Sequence, residues 1–592
     1  MKRILVFIVC LFLTKIAFSQ QRLNLDFEKE SVEGVSRPWG WALDAWGTNV
    51  FSMDTTNVKS GKFSLKVSTD SLIEQLPALQ YNLEPFFISG KVLSLKGNIQ
   101  SQIKQGKSYI SAGFVSVNKE NNYIDSSKVI YEINADSNGW KTFETSFTIP
   151  ENVTSVFLKI GFEGKGTVWY DNLRLIINGK TYESLPVADT LSVSQLEWII
   201  GNSLPFDLIP KESNSMVDFS FLRSAFGNSR IVALGESTHG TSEFFTLKYQ
   251  VFRYAVEQLG FRVFALEDNQ LACEKVNQYV LGKLDIRAEE AMSHLFAVWY
   301  TQEMKAMIEW IKEWNISHQD APVYFAGFDM QDYKLPLKAV TEFLKERNRE
   351  LLSEIEGFES FASNTFAASD SIKRHWLNRI KKLYQAIETA SDGSKQDKIE
   401  LQHVKLLQQF TENVLKGHWS LYRDEAMAEN IKWLGTVKYP KDKIFVWAHD
   451  VHVSKSFHPN ESHNLNYGIA MGNFLRKTMG DDYKSYGLMT YSGAYLALKS
   501  YTNYERVNAP LYLAPKGSLE EALHQVSLKT KQKNLFLNFQ DSVEWLQRPL
   551  PFRFANHVTI DYGFWQRISL PFQFDGVFFI DETNPSNYLN EK

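Results

Sequence analysis

Hydrophobic and polar positions change rhythm along the chain. From residue 21 to about 180 they alternate with period two: KFSLKV (62–67), SYISAGFVSV (108–117), SVFLKIGF (155–162) and TVWYDNLRLII (167–177) sit between Gly, Asn, Asp and Ser turns. That texture predicts an all-β sandwich of jelly-roll kind over residues 20–180. A polar linker follows at 181–193 (TYESLPVADTLSV), and SQLEWII then starts a helix. Beyond it apolar runs and amphipathic stretches take turns. RIVALGE (230–236), FRVFALED (261–268) and APVYFAGFDMQD (321–332) read as strands. TSEFFTLKYQVFRYAVEQLG (241–260) reads as a helix closed by Gly260, and EEAMSHLFAVWYTQEMKAMIEWIKEWN (289–315) as one long helical stretch. Residues 333–436 keep a 3.6-residue period almost throughout, and IFVWAHD (444–450) returns to strand. The order βαβαβ predicts an α/β fold over 194–592: a parallel-type sheet core with flanking helices, interrupted by a helical subdomain.

The extreme N-terminus breaks this pattern. MKR is a positive leader, ILVFIVCLFL a ten-residue apolar run, and Ala17-Phe18-Ser19 a small-x-small cleavage site. These are the parts of a secretory signal peptide over residues 1–19, with the mature chain starting near Gln20. The run is too short to span a bilayer. The expected address is therefore outside the cytoplasm, in the periplasm, at the cell surface or secreted, with no transmembrane segment in the mature chain. Cys10 falls in the leader, so Cys273 alone remains and no intramolecular disulfide can form. At 592 residues with 44% hydrophobic positions, two or more packed domains are expected. A net charge of −4 offers no nucleic-acid footprint.

Candidate chemistry gathers where the strands end, the edge at which parallel sheets place functional groups. The first strand leads into GESTHGTSEFF (235–245), which carries Glu236, His239 and Glu243. The second ends in Glu267 and Asp268, the third in Asp329 and Gln331, the fourth in His449, Asp450 and His452. Taken singly, each acid is a commonplace helix cap or turn former. If the four strands are neighbours, three imidazoles and several carboxylates converge on one pocket, enough for acid–base chemistry or a metal. A serine hydrolase is disfavoured, because Ser237 and Ser242 lie in no G-x-S-x-G elbow.

GESTHGTSEFF with Lys248, then FALED, WYTQEMKAMIEWIKEWN, FAGFDMQD, RDEAMAEN (423–430) and WAHDVHV, in this order over roughly 195–590, resemble the erythromycin esterase family. The resemblance implies an α/β core with an added helical region and hydrolysis of a carboxylic ester or lactone, in characterised members the macrolide ring. It implies that His239 is the general base activating water, that Glu236 and Glu267 are its acids, and that His449 and His452 complete the cleft. Lys248, Glu243, Asp329, Gln331 and Asp450 are the substrate-binding candidates. Imidazole suits the task because it takes a proton near neutral pH, and a carboxylate partner fixes its tautomer. Two positions depart from the family pattern: Lys248 stands where arginine is usual, and Asp450 where asparagine is usual. The extra charge at Asp450 is expected to raise the pKa of the neighbouring histidines. No cofactor is expected for the chemistry, although Glu-x-x-His with His-x-x-His also has the makings of zinc or manganese ligands. A metal-dependent hydrolase, or a metal- or haem-binding surface protein, is therefore the alternative on the same cluster.

The first domain carries a looser resemblance. NLDFE (24–28), SGKFSLKV (60–67) and WYDNLRL (169–175) resemble jelly-roll carbohydrate-binding modules attached to secreted glycosidases. This implies contact with a glycan or cell surface and a structural calcium near Glu28 and Asp171. The 14% aromatic content suits carbohydrate contacts but equally serves large cores. A spacer sandwich, and a non-catalytic glycan-binding surface protein, remain the other readings.

Overall fold

A computed structural model describes residues 24–589, apart from 31–36, 44–49, 74–77, 84–87, 118–122, 152, 183–189, 211–215, 418–421, 456–469, 500–503, 512, 541–542, 556 and 560–564. The expected signal peptide and most of the expected linker lie outside the described residues.

The alternating first part is all β. Its strands, from Trp41–Leu43 to Lys180–Thr181, pair antiparallel throughout. Two of them are far longer than the sequence runs suggest. Val92–Val117 and Val153–Ile177 pair with each other along most of their length. SVFLKIGF and TVWYDNLRLII thus belong to one strand, and the EGKG between them continues it opposite a bulge at Lys104 of Val92–Val117. Gly164 (φ 130°) lies opposite Gly106 (φ 83°), and a side chain on Gly164 would run into the Gln105 carbonyl. Buried positions change parity across this bulge, from Leu93, Leu95 and Ile99 to Ile110, Ala112 and Phe114. Both halves of the strand consequently face one apolar core, which draws only on residues 25–182. At its edge the amides of Lys59 and Ser60 donate to Asp171 Oδ2 (2.7 and 3.0 Å), and that of Lys62 donates to Glu28 Oε2 (2.8 Å). One loop therefore holds both carboxylates, and buried Asp171 Oδ1 has no protein partner. Such an oxygen suits a hard cation like calcium.

The second part is built on a nine-stranded sheet. Its strands in chain order are β1 (Ser203–Pro205), β2 (Ile231–Leu234), β3 (Phe261–Asn269), β4 (Tyr324–Asp329), β5 (Lys443–Trp447), β6 (Tyr483–Leu498), β7 (Arg506–Leu511), β8 (Asn534–Asn538) and β9 (Gly576–Thr583). They lie in the order β1-β8-β9-β6-β2-β5-β3-β4, with β7 paired to β6. The six from β9 to β4 are mutually parallel. Both faces are covered, which explains the unbroken apolar runs. Val232, Phe264, Leu266, Phe445 and Trp447 pack on one side against the helices α1 (Ser242–Leu259), α2 (Gln270–Val280) and α3 (Gln302–Ser317). Ile231, Ala233, Val263, Ala265, Ile444 and Val446 pack on the other.

The helical insertion is present, with α4 (Lys334–Arg347), α5 (Asp370–Ala390) and α6 (Lys395–Lys416) around their own core, followed by α7 (Tyr422–Trp433). One expectation fails. Residues 289–315 do not form one helix: Ala288–Ala291 and two 3₁₀ turns precede α3, which starts anew at the Thr301 cap. The interruption has local causes. Asp268 Oδ2 accepts the Phe296 amide (2.6 Å), and buried Trp299 donates Nε1 to the Glu267 carbonyl (3.2 Å), drawing the segment onto the end of β3.

A core confined to residues 25–182 makes the β part self-sufficient. Expressed alone, residues 20–182 are expected to melt cooperatively, with a midpoint that rises in millimolar calcium. Circular dichroism with and without chelator checks both outcomes; a non-cooperative melt counts against the domain boundary, and an unmoved midpoint against calcium.

Candidate active site

Strand order decides what meets. The strands that end in candidate residues, β2, β5, β3 and β4, are consecutive in the sheet, although β5 follows β4 in sequence by more than a hundred residues. Their polar ends therefore share one edge. The loop after β2 is strapped on two sides. The Gly235 amide donates to Tyr486, the Gly240 carbonyl accepts from Leu496 and Ser586, and the Glu236 carbonyl accepts from Asp450. A side chain on Gly240 would strike the Leu496 carbonyl, and one on Gly235 would strike Asp450, so both glycines allow close backbone approach.

Glu236 is the fully buried centre. Its Oε1 holds His239 Nδ1 (2.8 Å), and its Oε2 accepts from Lys248 Nζ (2.9 Å) and Trp447 Nε1 (3.0 Å). Lys248 reaches it from α1 with its ammonium 4.4 Å above the Trp447 ring. Burial pushes the Lys248 amine down to about 8, against the pull of Glu236. With Nδ1–H donating to the carboxylate, His239 presents Nε2 as its acceptor. The ring is 12% exposed at the cleft and has no other hydrogen bond among the described residues.

The paired histidines are committed elsewhere. His449 donates Nε2–H to the Ala555 carbonyl, and its Nδ1 accepts the Val451 amide (3.2 Å). Burial holds it well below the usual imidazole range. His452 is the opposite case. Burial works against its charge, yet Asp424 and Glu267 hold the imidazole up to about 10. As a cation it donates Nδ1–H to Asp424 (2.8 Å) and Nε2–H to Glu267 Oε1 (3.2 Å). Glu267 accepts in addition the His449 amide (2.9 Å) and Arg423 (2.7 Å). Although burial would raise its carboxyl, these cations keep it ionised, well below the usual range.

Arg423, at the start of α7, is the organiser that sequence reasoning left without a role. Its guanidinium spans Glu267 and Asp329 (2.7 Å each), lies 3.1 Å from His452 Nε2, and is 21% exposed. RDEAMAEN was the only signal; the helical insertion hides its proximity to the strand ends. Asp424, Trp299 and Trp447 were likewise missed. Gln331 donates to Asp329 (2.9 Å) and so joins the cluster.

Three expectations change. Lys248 is fully buried beside Glu236, and its ammonium is spent on holding that carboxylate. Glu243 stands outside the cluster, accepting the Asn584 amide and side chain (2.7 and 2.8 Å). Asp450 is buried under Gly235, with Oδ1 on the Leu488 amide (3.2 Å) and Oδ2 unpaired. Burial raises its carboxyl well above the usual range, and the charges that hold His452 up are those of Asp424 and Glu267.

The same geometry tests the metal alternative. Both nitrogens of His449 and both of His452 are engaged, which leaves His239 Nε2 as the single unengaged imidazole nitrogen of the three. Among the described residues no group of three or more His, Cys, Asp or Glu is arranged to hold a metal ion. The donor set as placed does not fit zinc or manganese.

Comparison with known proteins adds an independent line. A family model described as Erythromycin esterase matches residues 256–583, more than half of the 592-residue chain, from the last turn of α1 to the end of β9. The chain is similar to erythromycin esterase type II of Escherichia coli, 25% identical over 433 residues that cover 67% of this chain and 99% of that one. The solved structure of an erythromycin esterase mutant in its open conformation covers 66% of this chain and all of its own, at 14% identity and TM-score 0.53, a likeness of fold. A xylan-binding domain from Paenibacillus barcinonensis covers 26% of this chain at 11% identity and TM-score 0.21, too slight a likeness to carry an argument.

The ionic arrangement generates two predictions. Lys248→Met leaves a buried carboxylate without its cation and is expected to cost about 3–5 kcal/mol, read from urea unfolding at pH 7. For His452, the folded pKa of about 10 lies above the unfolded value near 6.5. The ionic stabilisation is thus complete below about pH 6.5 and is lost as pH rises through about 10. The stability gap between wild type and His452→Gln should narrow over that window by about 1.4 kcal/mol for each pH unit crossed, several kcal/mol in all. A pH-independent gap in urea titrations contradicts it.

Proposed function

Because the chain belongs to the erythromycin esterase family, and is accordingly a hydrolase of that family, we propose that it cleaves a carboxylic ester or lactone with water activated by His239. The observation that carries this is an unengaged nitrogen: Glu236 holds His239 Nδ1, and Nε2 of the 12% exposed ring has no hydrogen bond among the described residues. Water gives its proton to Nε2 as its oxygen attacks the acyl carbon. Glu236 stabilises the imidazolium that forms, and is itself fixed by Lys248 and Trp447. The carbonyl oxygen, now an oxyanion, meets Arg423, the partly exposed cation of the cluster. Collapse breaks the acyl–oxygen bond, and the imidazolium returns its proton to the leaving oxygen, giving acid and alcohol. Glu267 and Asp329 hold Arg423 in place and take no proton.

Macrolide lactones are one substrate class on this reading, with simpler esters beside them; export by the N-terminal segment would place the reaction outside the cytoplasm. No helix among the described residues is long and apolar enough to cross a membrane.

The test is turnover of a panel of lactones and esters with and without chelator. Activity is expected to survive chelation, and His239→Asn is expected to lose about 10²–10⁴-fold in rate while staying folded. A folded His239→Asn enzyme with wild-type turnover removes the base, and loss of wild-type activity to chelator restores the metal alternative.

A further inference from the structure

Residues 584–589 (NPSNYL) follow β9 and run past two helix starts in one repeated pattern. At the start of α1, Thr241 and Pro585 form an antiparallel bridge. Around it the Ser242 amide donates to the Asn584 carbonyl (2.9 Å) and the Ser586 amide to the Gly240 carbonyl (2.9 Å). At the start of α3, Thr301 and Tyr588 form the same bridge. There the Gln302 amide donates to the Asn587 carbonyl (2.8 Å) and the Leu589 amide to the Tyr300 carbonyl (3.0 Å). Proline is tolerated at 585 because the flanking residues make the hydrogen bonds of such a bridge. Each helix start then adds an acid. Glu243 takes the Asn584 amide (2.7 Å) on Oε2 and its side chain (2.8 Å) on Oε1. Glu303 takes the Asn587 amide (3.1 Å), its side chain (3.0 Å) and the Ser242 hydroxyl (2.6 Å). T-S-E at 241–243 and T-Q-E at 301–303 are thus matching sockets for Asn584 and Asn587.

The two carbonyls gripped in this way, Gly240 and Tyr300, belong to the residues directly after His239 and Trp299. Those two rings meet edge to face, their centroids 5.5 Å apart. The Gly240 carbonyl also accepts the Leu496 amide (2.8 Å), so β6 and the segment after β9 hold the His239 loop between them. We propose that Asn584 and Asn587 are positioning residues: seated on Glu243 and Glu303, they make residues 584–589 a clasp that sets the His239 ring against Trp299. As a role in catalysis this rests on the ester-hydrolase reading above.

The fork explains the residue types. Asparagine offers a backbone N–H and a side-chain N–H, and at Glu243 these fill both carboxylate oxygens. Hydrogen bonds to an ionised acceptor are about twice as strong as neutral ones. Both acids also stand in the first turn of their helices, where the helix dipole favours negative charge. A base must lie within hydrogen-bond reach of the proton it takes, so the clasp bears on rate even though it touches no substrate. A displacement of about 1 Å at such a base costs up to about 10²-fold. The pairing can also be inverted. Asn584→Asp sets two carboxylates face to face. Adding Glu243→Gln supplies an amide that donates to the new acid, while its oxygen still takes the backbone N–H of residue 584.

The experiment follows nitrophenyl acetate hydrolysis, with amide hydrogen exchange over residues 235–245 as a readout independent of activity. Asn584→Asp is expected to lower kcat about 10–100-fold with KM within about threefold of wild type, and to speed exchange in that loop. The double variant Asn584→Asp with Glu243→Gln is expected to return kcat and exchange to within about threefold of wild type. Wild-type kcat and exchange in folded Asn584→Asp overturn the proposal. So does a loss that the double variant leaves in place, or one confined to KM. If Asn584→Asp melts below assay temperature, Glu243→Ala is read instead. A fall in kcat at constant KM then supports the clasp, and wild-type kcat overturns it. An inactive His239→Asn beside a fully active Asn584→Asp removes only this proposal. A fully active His239→Asn removes the ester-hydrolase reading and the catalytic role of the clasp together.

Discussion

One buried carboxylate sets the terms for the rest of the site. Glu236 ends the central strand run with no exposure to water, and an ionised acid there is tolerable only with several donors around it. Lys248 comes from the helix that follows, Trp447 from the neighbouring strand, and His239 from three residues on. Each donor thereby becomes a structural obligation. The helix must start where Lys248 can reach back, β5 must lie beside β2 in register, and the turn must return His239 over its own glutamate. Gly235 and Gly240 permit that return by leaving room for Asp450 and for the Leu496 backbone.

The remaining charges form a second layer with a different logic. Glu267, Asp329 and Asp424 face Arg423 and His452, so three acids meet two cations within one hydrogen-bonded net. This keeps His452 protonated, while burial keeps His449 neutral. Three histidines that look interchangeable in the sequence are thus split into a cation, a neutral strut and a ring with one nitrogen unengaged. Environment makes that division, through which nitrogens are already satisfied.

How much of this was legible follows from what kind of signal each feature leaves. The polar strand ends were readable because apolar runs stop abruptly at Glu236, Glu267, Asp329 and His449, and parallel sheets align such ends. Their adjacency was not readable, since β5 slots between β2 and β3 after a long helical insertion. Arg423 was invisible for the same reason: it sits early in a helix, where an arginine ordinarily meets solvent. Asp450 misled because formal charge was assumed from residue type, whereas burial beneath Gly235 raises its carboxyl well above the usual range. In the β part, EGKG looked like a turn because glycines mark turns, whereas here they carry the strand past the bulge at Lys104.

The contrast between Lys248 and Arg423 shows how one charge type serves two ends. A lysine ammonium is compact, and at Lys248 it fits between Glu236 and the Trp447 ring with no face left for a ligand. Arginine at 423 has five donors in a plane, enough to hold two carboxylates and still present an edge to the cleft. Lysine at 248 is thus taken up by the buried carboxylate, while Arg423 keeps part of its guanidinium exposed. Through Glu236, which it shares with His239 Nδ1, the lysine bears on how that imidazole is held.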